Sequence, residues 1–488
     1  MSDTIGLIGI LAGLIFLVGL VFRGWTILIL APLAALIAAL ANREPLLAHW
    51  TQTFMGGAGH FVAQFFPLFL LGAIFGKLME DSGSVAAVAR FLGDRLGARR
   101  AMLAVVIISA IVTYGGVSLM VAFFVIVPMA QPLFRAANIP RRLMPAAIGL
   151  GTFTFTMSAL PGSPALQNAI PMPFFGTTPF AAPGLGMIAS IIMLGFGLWW
   201  LARAERAARA AGEGYQLEVG IAAEAVADDP LLRERTTATR EFDPAELHRG
   251  EPCRNLPPFA VAAIPLAVVL VVNLVISFAV LPHMEAAFLA EPQFGETSLA
   301  AIGGVWAVLI ALLAGIITVI ALNLGRLRNV RTSVDAGANA SVLPLIGIAS
   351  LVGFGTVVAA LPAFAVVTKW VLGLGGGPLV SLAVSVNLLA ALTGSASGGM
   401  TIALDALGPT YMHLAELHGI SPGLLHRVAV MASGTLDALP HNGAVVALLS
   451  VCGVSHGESY GTMLMTVILG PILALIAVVV LGSVVGSF

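Results

Sequence analysis

The sequence predicts an all-α polytopic membrane protein of about 12 spans, built as two inverted-topology repeats that each hold a helical hairpin and an interrupted helix. Three observations predict it. Of 488 residues, 59% are hydrophobic and only 10% are Asp, Glu, Lys or Arg, whereas soluble domains run at about 25% charged. With a mean hydropathy of +1.00, such a chain finds its solvent in lipid. Gly, Pro and hydroxyl residues interrupt four of its apolar runs, and arginines that crowd two turns of the first half are missing from the corresponding turns of the second.

The elements follow in order. The chain opens Met-Ser-Asp-Thr and is then apolar from Ile5 to Phe22. No Lys or Arg precedes that run and no small-residue cleavage site follows it, so it is expected to be a first span and not a signal peptide. Apolar stretches continue at 25–42, 61–79, 101–134, 143–160 and 184–202, and again at 258–281, 298–324, 341–361, 379–412, 423–455 and 461–486. Between 203 and 257 the composition changes. Eight arginines (Arg203, Arg206, Arg209, Arg233, Arg235, Arg240, Arg249 and Arg254) alternate there with many Asp and Glu. The expected organisation is therefore a first membrane repeat at 1–203, a cytoplasmic linker at 204–257 with a helical stretch from Trp200 to Ala211, and a second repeat at 258–488.

Arginine is retained in cytoplasmic loops. Arg23, the group from Arg90 to Arg100, the group from Arg135 to Arg142, the linker, and Arg326, Arg328 and Arg331 all fall inside if the N-terminus is external. The 283–297 loop, with Glu285, Glu291 and Glu296 and no Lys or Arg, then falls outside. Two short matches recur at nearly one offset: Thr113–Met120 (TYGGVSLM) with Thr393–Met400 (TGSASGGM), and Ser158–Ser163 (SALPGS) with Asp437–Asn442 (DALPHN). The arginine-rich turns at 90–100 and 135–142 correspond to 370–380 and 415–422, which contain no Lys or Arg. Equivalent turns on opposite sides of the membrane are the mark of an inverted repeat, a common plan of secondary transporters.

The interruptions fall at 114–118, 158–164, 393–399 and 437–443. Backbone that leaves helical geometry at membrane depth exposes N–H and C=O groups at several kcal/mol each. It persists beside a watery cavity or inside protein, where N–H groups meet anions and carbonyls meet cations. The 101–134 and 379–412 stretches are long enough for two short helices each and are expected to be hairpins with Gly-rich tips. The candidate substrate contacts are Tyr114, Gly115, Gly116 and Ser118 at one tip, Ser158, Gly162 and Ser163 at the following break, Thr393, Ser395 and Ser397 at the second tip, and Asn442 at the last break. The bland reading is that these glycines serve close helix packing and that the hydroxyls bond back to local carbonyls.

Ionisable residues at membrane depth are expensive and usually functional. Asp437 and His441 flank Pro440, and His441 suits proton coupling because imidazole titrates near neutrality; a neutral histidine donating to a loop carbonyl is the alternative. Asp405, in the second hairpin, reads equally as a coupling carboxylate and as a side chain snorkelling outward. Lys77, Glu80 and Asp81 read as a solvated helix end, and Lys369 as an external interfacial residue. Cys253 and Cys452 lie in unlike segments and suggest neither a disulfide nor a metal site. No cofactor is expected, and a net charge of −1 offers no footprint for nucleic acid.

An intramembrane hydrolase would need a positioned nucleophile or a His-Glu-x-x-His pair. The latter is absent, and Ala396 occupies the centre of Gly394–Gly398 where a G-x-S-x-G would need serine. A channel shares this architecture and is separated only by flux stoichiometry. Among transporters, breaks rich in hydroxyl, Gly, Asn and His favour a carboxylate-bearing solute over cation/proton antiport, which usually shows paired acids in its broken helices. Na⁺ coupling through carbonyls and hydroxyls stays open.

At these residues the sequence resembles the gluconate permease family of proton symporters, within the wider ion-transporter superfamily. The resemblance is carried by Phe75–Gly83 (FGKLMEDSG), Gly394–Gly399 (GSASGG) and Ser433–Gly443 (SGTLDALPHNG). It extends over essentially the whole chain and is most specific in the second half. It implies uptake of small hydroxy-carboxylates, such as sugar acids or hydroxybutyrate, with protons across the bacterial inner membrane, by a protein that allows a homodimer. The chain departs from the gluconate-type pattern at the first interrupted helix, where Ala159–Ala165 (ALPGSPA) stands in place of a His-Pro-rich motif. That departure implies a different acid.

Overall fold

In the computed structural model the described residues are 2–488 apart from 22, 24, 98–99, 118, 216–242, 244, 247–248, 251–252, 254, 374 and 441. They form helices and no strand. The first half runs α1 (Ser2–Val21), α2 (Ile27–Ala41), α3 (Leu46–Asp81, with one wide turn at His49–Phe54), α4 (Ser84–Leu96), α5 (Ala101–Tyr114), α6 (Leu119–Ala136), α7 (Met144–Thr152), α8 (Phe155–Ser158), α9 (Leu166–Ala169), α10 (Pro171–Phe175) and α11 (Pro183–Ala210). The second half runs α12 (Phe259–Val275), α13 (Leu299–Asn323), α14 (Val330–Ala360), α15 (Phe364–Leu372), α16 (Gly377–Thr393), α17 (Ala396–His418), α18 (Pro422–Ser433), α19 (Gly443–Cys452) and α20 (His456–Val485, with a wide turn at Leu464–Leu469). In each half two apolar helices precede a longer one, and a short helix, a hairpin, a broken helix and a closing long helix follow.

Seven of these helices are long and apolar enough to cross a membrane, and five shorter apolar ones accompany them. Their ends are set by local chemistry. Side chains of Thr26, Ser298, Asn329 and Ser421 accept the first free N–H groups of α2, α13, α14 and α18. Proline stands inside several long helices, including Pro67, Pro344 and Pro409. Neighbouring helices tolerate this in lipid by re-satisfying the freed groups.

The long third helices of the two halves, α3 and α14, pack along each other at the centre, with α13 and α2 beside them. Gly337 makes that approach close: a Cβ there would lie 2.7 Å from Ile74 Cα. The closing helices α11 and α20 pair in the same way. The hairpin arms pack on each other, α5 on α6 and α16 on α17, and each half then reaches into the other: α19 lies on α6, and α10 lies on α17 and α18. Helix α11 continues to Ala210 and so crosses the boundary expected at 203.

Candidate functional site at two hairpin tips and two helix breaks

The first hairpin closes through Gly115 and Gly116. Gly116 has φ +96°, a left-handed conformation that glycine adopts without strain, and a Cβ there would lie 3.1 Å from Pro164 Cγ. Tip and break are thus in contact, and Tyr114 ties them further by donating its hydroxyl to the Pro161 carbonyl at 2.6 Å. Helix α8 ends at Ser158 and α9 begins at Leu166, leaving seven residues of non-helical backbone whose polar groups must find partners. Gly162 N–H donates to the Pro179 carbonyl at 2.9 Å, and the Gly162 carbonyl accepts from Asn273 Nδ2 of α12 at 3.0 Å. Asn168 Nδ2 donates to the carbonyls of Ser163 (3.0 Å) and Pro179 (2.9 Å).

The second hairpin closes at Gly394 (φ +62°), and Ser395 caps α17 by accepting from Gly398 N–H at 3.1 Å. Ser397 lies within that first helical turn and its hydroxyl is 3.4 Å from that of Ser395. The last break opens at Gly434 and runs to Asn442. The Asn442 amide uses all four of its hydrogen-bonding positions. It donates to the Gly394 carbonyl (2.9 Å) and the Asp437 carbonyl (2.7 Å), and it accepts from Ala444 N–H (2.7 Å) and Val445 N–H (3.2 Å). One side chain therefore joins tip, break and the start of α19. Thr435 Oγ1 bonds Asn387 Oδ1 of α16 and closes the other end of this break onto the hairpin.

The two breaks meet. A Cβ on Gly434 would lie 3.3 Å from Ser158 Cβ. Beside that contact, two adjacent residues of α18 grip the first break from the other half. Arg427, 0% exposed, donates Nη1 to the Ser158 carbonyl (3.2 Å) and Nε and Nη2 to the Ala181 carbonyl (3.1 and 2.7 Å). His426 is also buried. Since Asn168 spends both N–H bonds on carbonyls, its Oδ1 accepts from His426 Nε2 (3.2 Å), and Nδ1 accepts from the Thr177 hydroxyl (2.6 Å). No carboxylate pairs with Arg427 among the described residues. A buried guanidinium answered only by neutral carbonyls leaves net positive charge at the junction of the breaks.

A cavity of about 30 Å³ lies between α3, the first tip and the first break, lined among others by Gly72, Gly116, Met157, Pro164 and Gln167. That is room for a water or two, far below the roughly 300 Å³ at which small-molecule pockets begin.

Of the residues picked out from the sequence, Tyr114, Gly115, Gly116, Ser158, Gly162 and Ser163 gather at the first tip and break, and Thr393, Ser395, Ser397, Asp437 and Asn442 at the second. Ser118 and His441 lie outside the described residues. Ser158 and Thr393 turn their hydroxyls back to the carbonyls of Thr154 (3.0 Å) and Leu389 (2.7 Å), which holds the helix ends. Asp405 sits apart, midway along α17. Lys369 is exposed.

The reading of Lys77, Glu80 and Asp81 as a solvated helix end is corrected. Lys77 is 0% and Asp81 1% exposed. Lys77 Nζ lies 3.1 Å from Glu80 Oε2 and 3.2 Å from Asp81 Oδ1, and Ser333 of α14 donates to Asp81 Oδ2 at 2.7 Å. The end of the central segment covers them: Cys253 N–H donates to the Asp81 carbonyl at 2.9 Å, and Gly250 lies against both side chains.

Asn168, His426 and Arg427 were missed by the sequence reading. The signal was available, for His426 and Arg427 stand inside the apolar stretch 423–455, where ionisable residues point to a site.

An all-helical bundle with apolar spans and two stapled helix breaks is the framework of a membrane transporter, and known proteins agree. The chain belongs to the GntP permease family: residues 4–175 match the GntP family permease description, and the transporter YxjC of Bacillus subtilis (strain 168) is 38% identical over 461 residues, 93% of this chain and 94% of that one. The high-affinity gluconate transporter of Escherichia coli (strain K12) is 30% identical over 161 residues, covering 32% of this chain and 35% of that protein. Two solved structures share the fold. The Alcanivorax borkumensis YdaH transporter has a TM-score of 0.54 at 18% identity, over 89% of this chain and 87% of its own. Neisseria gonorrhoeae MtrF has 0.53 at 14%, over 90% and 85%. The protein is thus a multi-pass inner-membrane transporter and not an enzyme.

Proposed function

We propose that the protein takes up a small hydroxy-carboxylate together with protons. The observation that carries this reading is Arg427, a buried cation at the junction of the breaks with no acidic partner among the described residues. Burying an ion costs several kcal/mol unless an opposite charge answers it, and a substrate carboxylate would supply the answering charge to Arg427. In this reading the carboxylate meets N–H groups and hydroxyls at Ser163 and the two tips, Asn442 holds the second tip in place, and His441, Asp437 or Asp405 carries the proton. Similarity to a gluconate transporter over part of the chain points to the same class of solute.

The proposal includes two inverted repeats, 1–203 and 258–488, joined by a cytoplasmic linker at 204–257. The packing of equivalent turns supports it. Arg142, in the turn before α7, bonds Glu213 at 2.6 Å and accepts at its carbonyl from Ser459 at 2.7 Å. Its counterpart, the turn before α18, meets the other end of α11, where a Cβ on Gly423 would lie 3.5 Å from Ala182 N. A 28-residue helix separates those two ends by about 40 Å.

Counterflow in proteoliposomes against a panel of hydroxy acids tests the reading. Exchange of a hydroxy acid, with uptake driven by an inward proton gradient, is expected. If no acid exchanges while Na⁺/H⁺ exchange occurs, the anion reading is wrong and the protein is an antiporter.

A further inference from the structure

We propose that Asp405 is the residue that takes the coupled proton, and that it loads from a recess between α10 and α17 on the face opposite the central segment. The inference rests on the proton-coupled reading above and selects one acid and one route from it.

Helix α17 is continuous from Ala396 to His418 although Pro409 stands inside it. Proline has no N–H, so the carbonyl four residues earlier, that of Asp405, loses its intrahelical donor. A carboxyl group and a freed carbonyl thus belong to one residue near the middle of the second arm of the second hairpin. Asp405 is half-buried, and no hydrogen bond or ion pair engages its side chain among the described residues. The first hairpin has the comparable proline, Pro128, in α6, but Phe124 stands four residues before it. Only the second hairpin adds an acid.

Helical spacing places Thr401, Asp405, Pro409, Met412 and Glu416 on one stripe. Its outer part is open: Pro409, Met412, His413 and Glu416 line a recess of about 510 Å³ with Pro173 and Phe174 of α10. Gly408, beside Asp405 on the helix surface, packs on Phe174, and a Cβ there would lie 3.3 Å from its ring. Inward, Thr401 donates to the Ser397 carbonyl at 2.8 Å, which takes the stripe to the second tip, about 15 Å from Asp405 along the helix. The recess, Asp405 and the substrate site therefore follow one another along a single helix face.

The charged and titratable groups of the surrounding elements leave Asp405 to itself. Helices α9, α10 and α16 carry no Asp, Glu, Lys, Arg or His; α18 carries His426 and Arg427, engaged with the first break; α14 carries Arg331 and Asp335, paired with each other at 3.6 Å. On α17 itself stand His413 and Glu416 in the wall of the recess, His418 at the end of the helix, and Tyr411, whose hydroxyl is shared with Ser381 and Ser385. One carboxyl and one carbonyl supply three oxygens, short of the about six that a hard cation takes, so a proton is the ion that fits. It binds a carboxylate oxygen from outside, giving the neutral acid, and passes to a water on the inside as hydronium after the site has turned, which restores the carboxylate.

The full-length protein and Asp405→Asn are compared in proteoliposomes with the acid that counterflow identifies. The variant is expected to keep exchange within about twofold while accumulation driven by a proton gradient falls at least about tenfold, with Asp405→Glu recovering part of it. Unchanged accumulation in Asp405→Asn overturns the proposal. So does equal loss of exchange and accumulation that Asp405→Glu does not repair, which marks a structural role. Infrared difference spectra between alkaline and acidic pH test the loading without any solute. Subtracting the spectra of Asp405→Asn from those of the parent cancels the carboxyls that both share, so a single protonated-carboxyl component in the double difference is expected, and its absence refutes the assignment. A parent protein that shows this Asp405 component yet exchanges no hydroxy acid sinks the anion reading and leaves the proton site standing.

Discussion

Replacing Asn442 with alanine should detach the second hairpin from the broken helix that follows it. The substitution deletes four hydrogen bonds of 2.7 to 3.2 Å. Loss of the cap on α19 costs about 1 kcal/mol. The carbonyls of Gly394 and Asp437 then lose a donor in a buried setting, each at about 1–3 kcal/mol. Allowing for partial relaxation, the total is about 3–5 kcal/mol. Ser421→Ala is the matched control, because Ser421 caps α18 through a single bond to Gly423 N–H at 3.2 Å and bridges nothing else; it should cost about 1 kcal/mol. Reversible unfolding in mixed micelles titrated with a denaturing detergent measures both. An Asn442→Ala variant no less stable than Ser421→Ala would refute the bridging role, since the cap alone would then account for the residue.

Three further outcomes are expected. Arg427→Lys keeps the charge but loses the fork held by the Ser158 and Ala181 carbonyls, so the counterflow KM for the acid should rise about tenfold, and Arg427→Gln should raise it further; equal KM in all three proteins contradicts an anion-attracting role. Lys77→Met leaves the buried Asp81 and the partly buried Glu80 side by side without their cation and should destabilise by about 3–5 kcal/mol, part of which returns on adding Asp81→Asn. A neutral Lys77→Met in the same unfolding assay would show that the cluster is solvated after all. Gly116→Ala must hold a methyl at φ +96° against Pro164, which should cost about 1–3 kcal/mol and slow counterflow. Full activity and stability would mean that the first tip is free to move away from the break.

The membrane character and the interruptions were legible because each is local: a run of apolar residues, or Gly and Pro inside one, declares itself without its neighbours. Gly116 and Gly394 fell where a tip was expected for that reason. The roles of the site residues were less legible. Asn442 looked like a ligand and is a four-bond bridge, a fact set by Gly394, 48 residues away. Lys77 looked solvated because nothing in its own helix reveals Ser333, 252 residues from Asp81, or the end of the central segment at Cys253. Arg427 and His426 are visible as ionisable residues in an apolar run, but their targets, Ser158 and Asn168, belong to the other half of the chain.

That cross-linking bears on how the protein is made. The carbonyl of Gly162 waits for Asn273, 111 residues later, and that of Ser158 for Arg427, 269 residues later. On the ribosome the first half therefore enters the bilayer with polar backbone at membrane depth and no partner yet synthesised. Those groups must be held meanwhile by water, by the insertion machinery, or by provisional contacts that are exchanged when α18 arrives. Assembly of the site is a late event, and truncation anywhere before residue 427 should leave a nascent chain that quality control recognises by its first half.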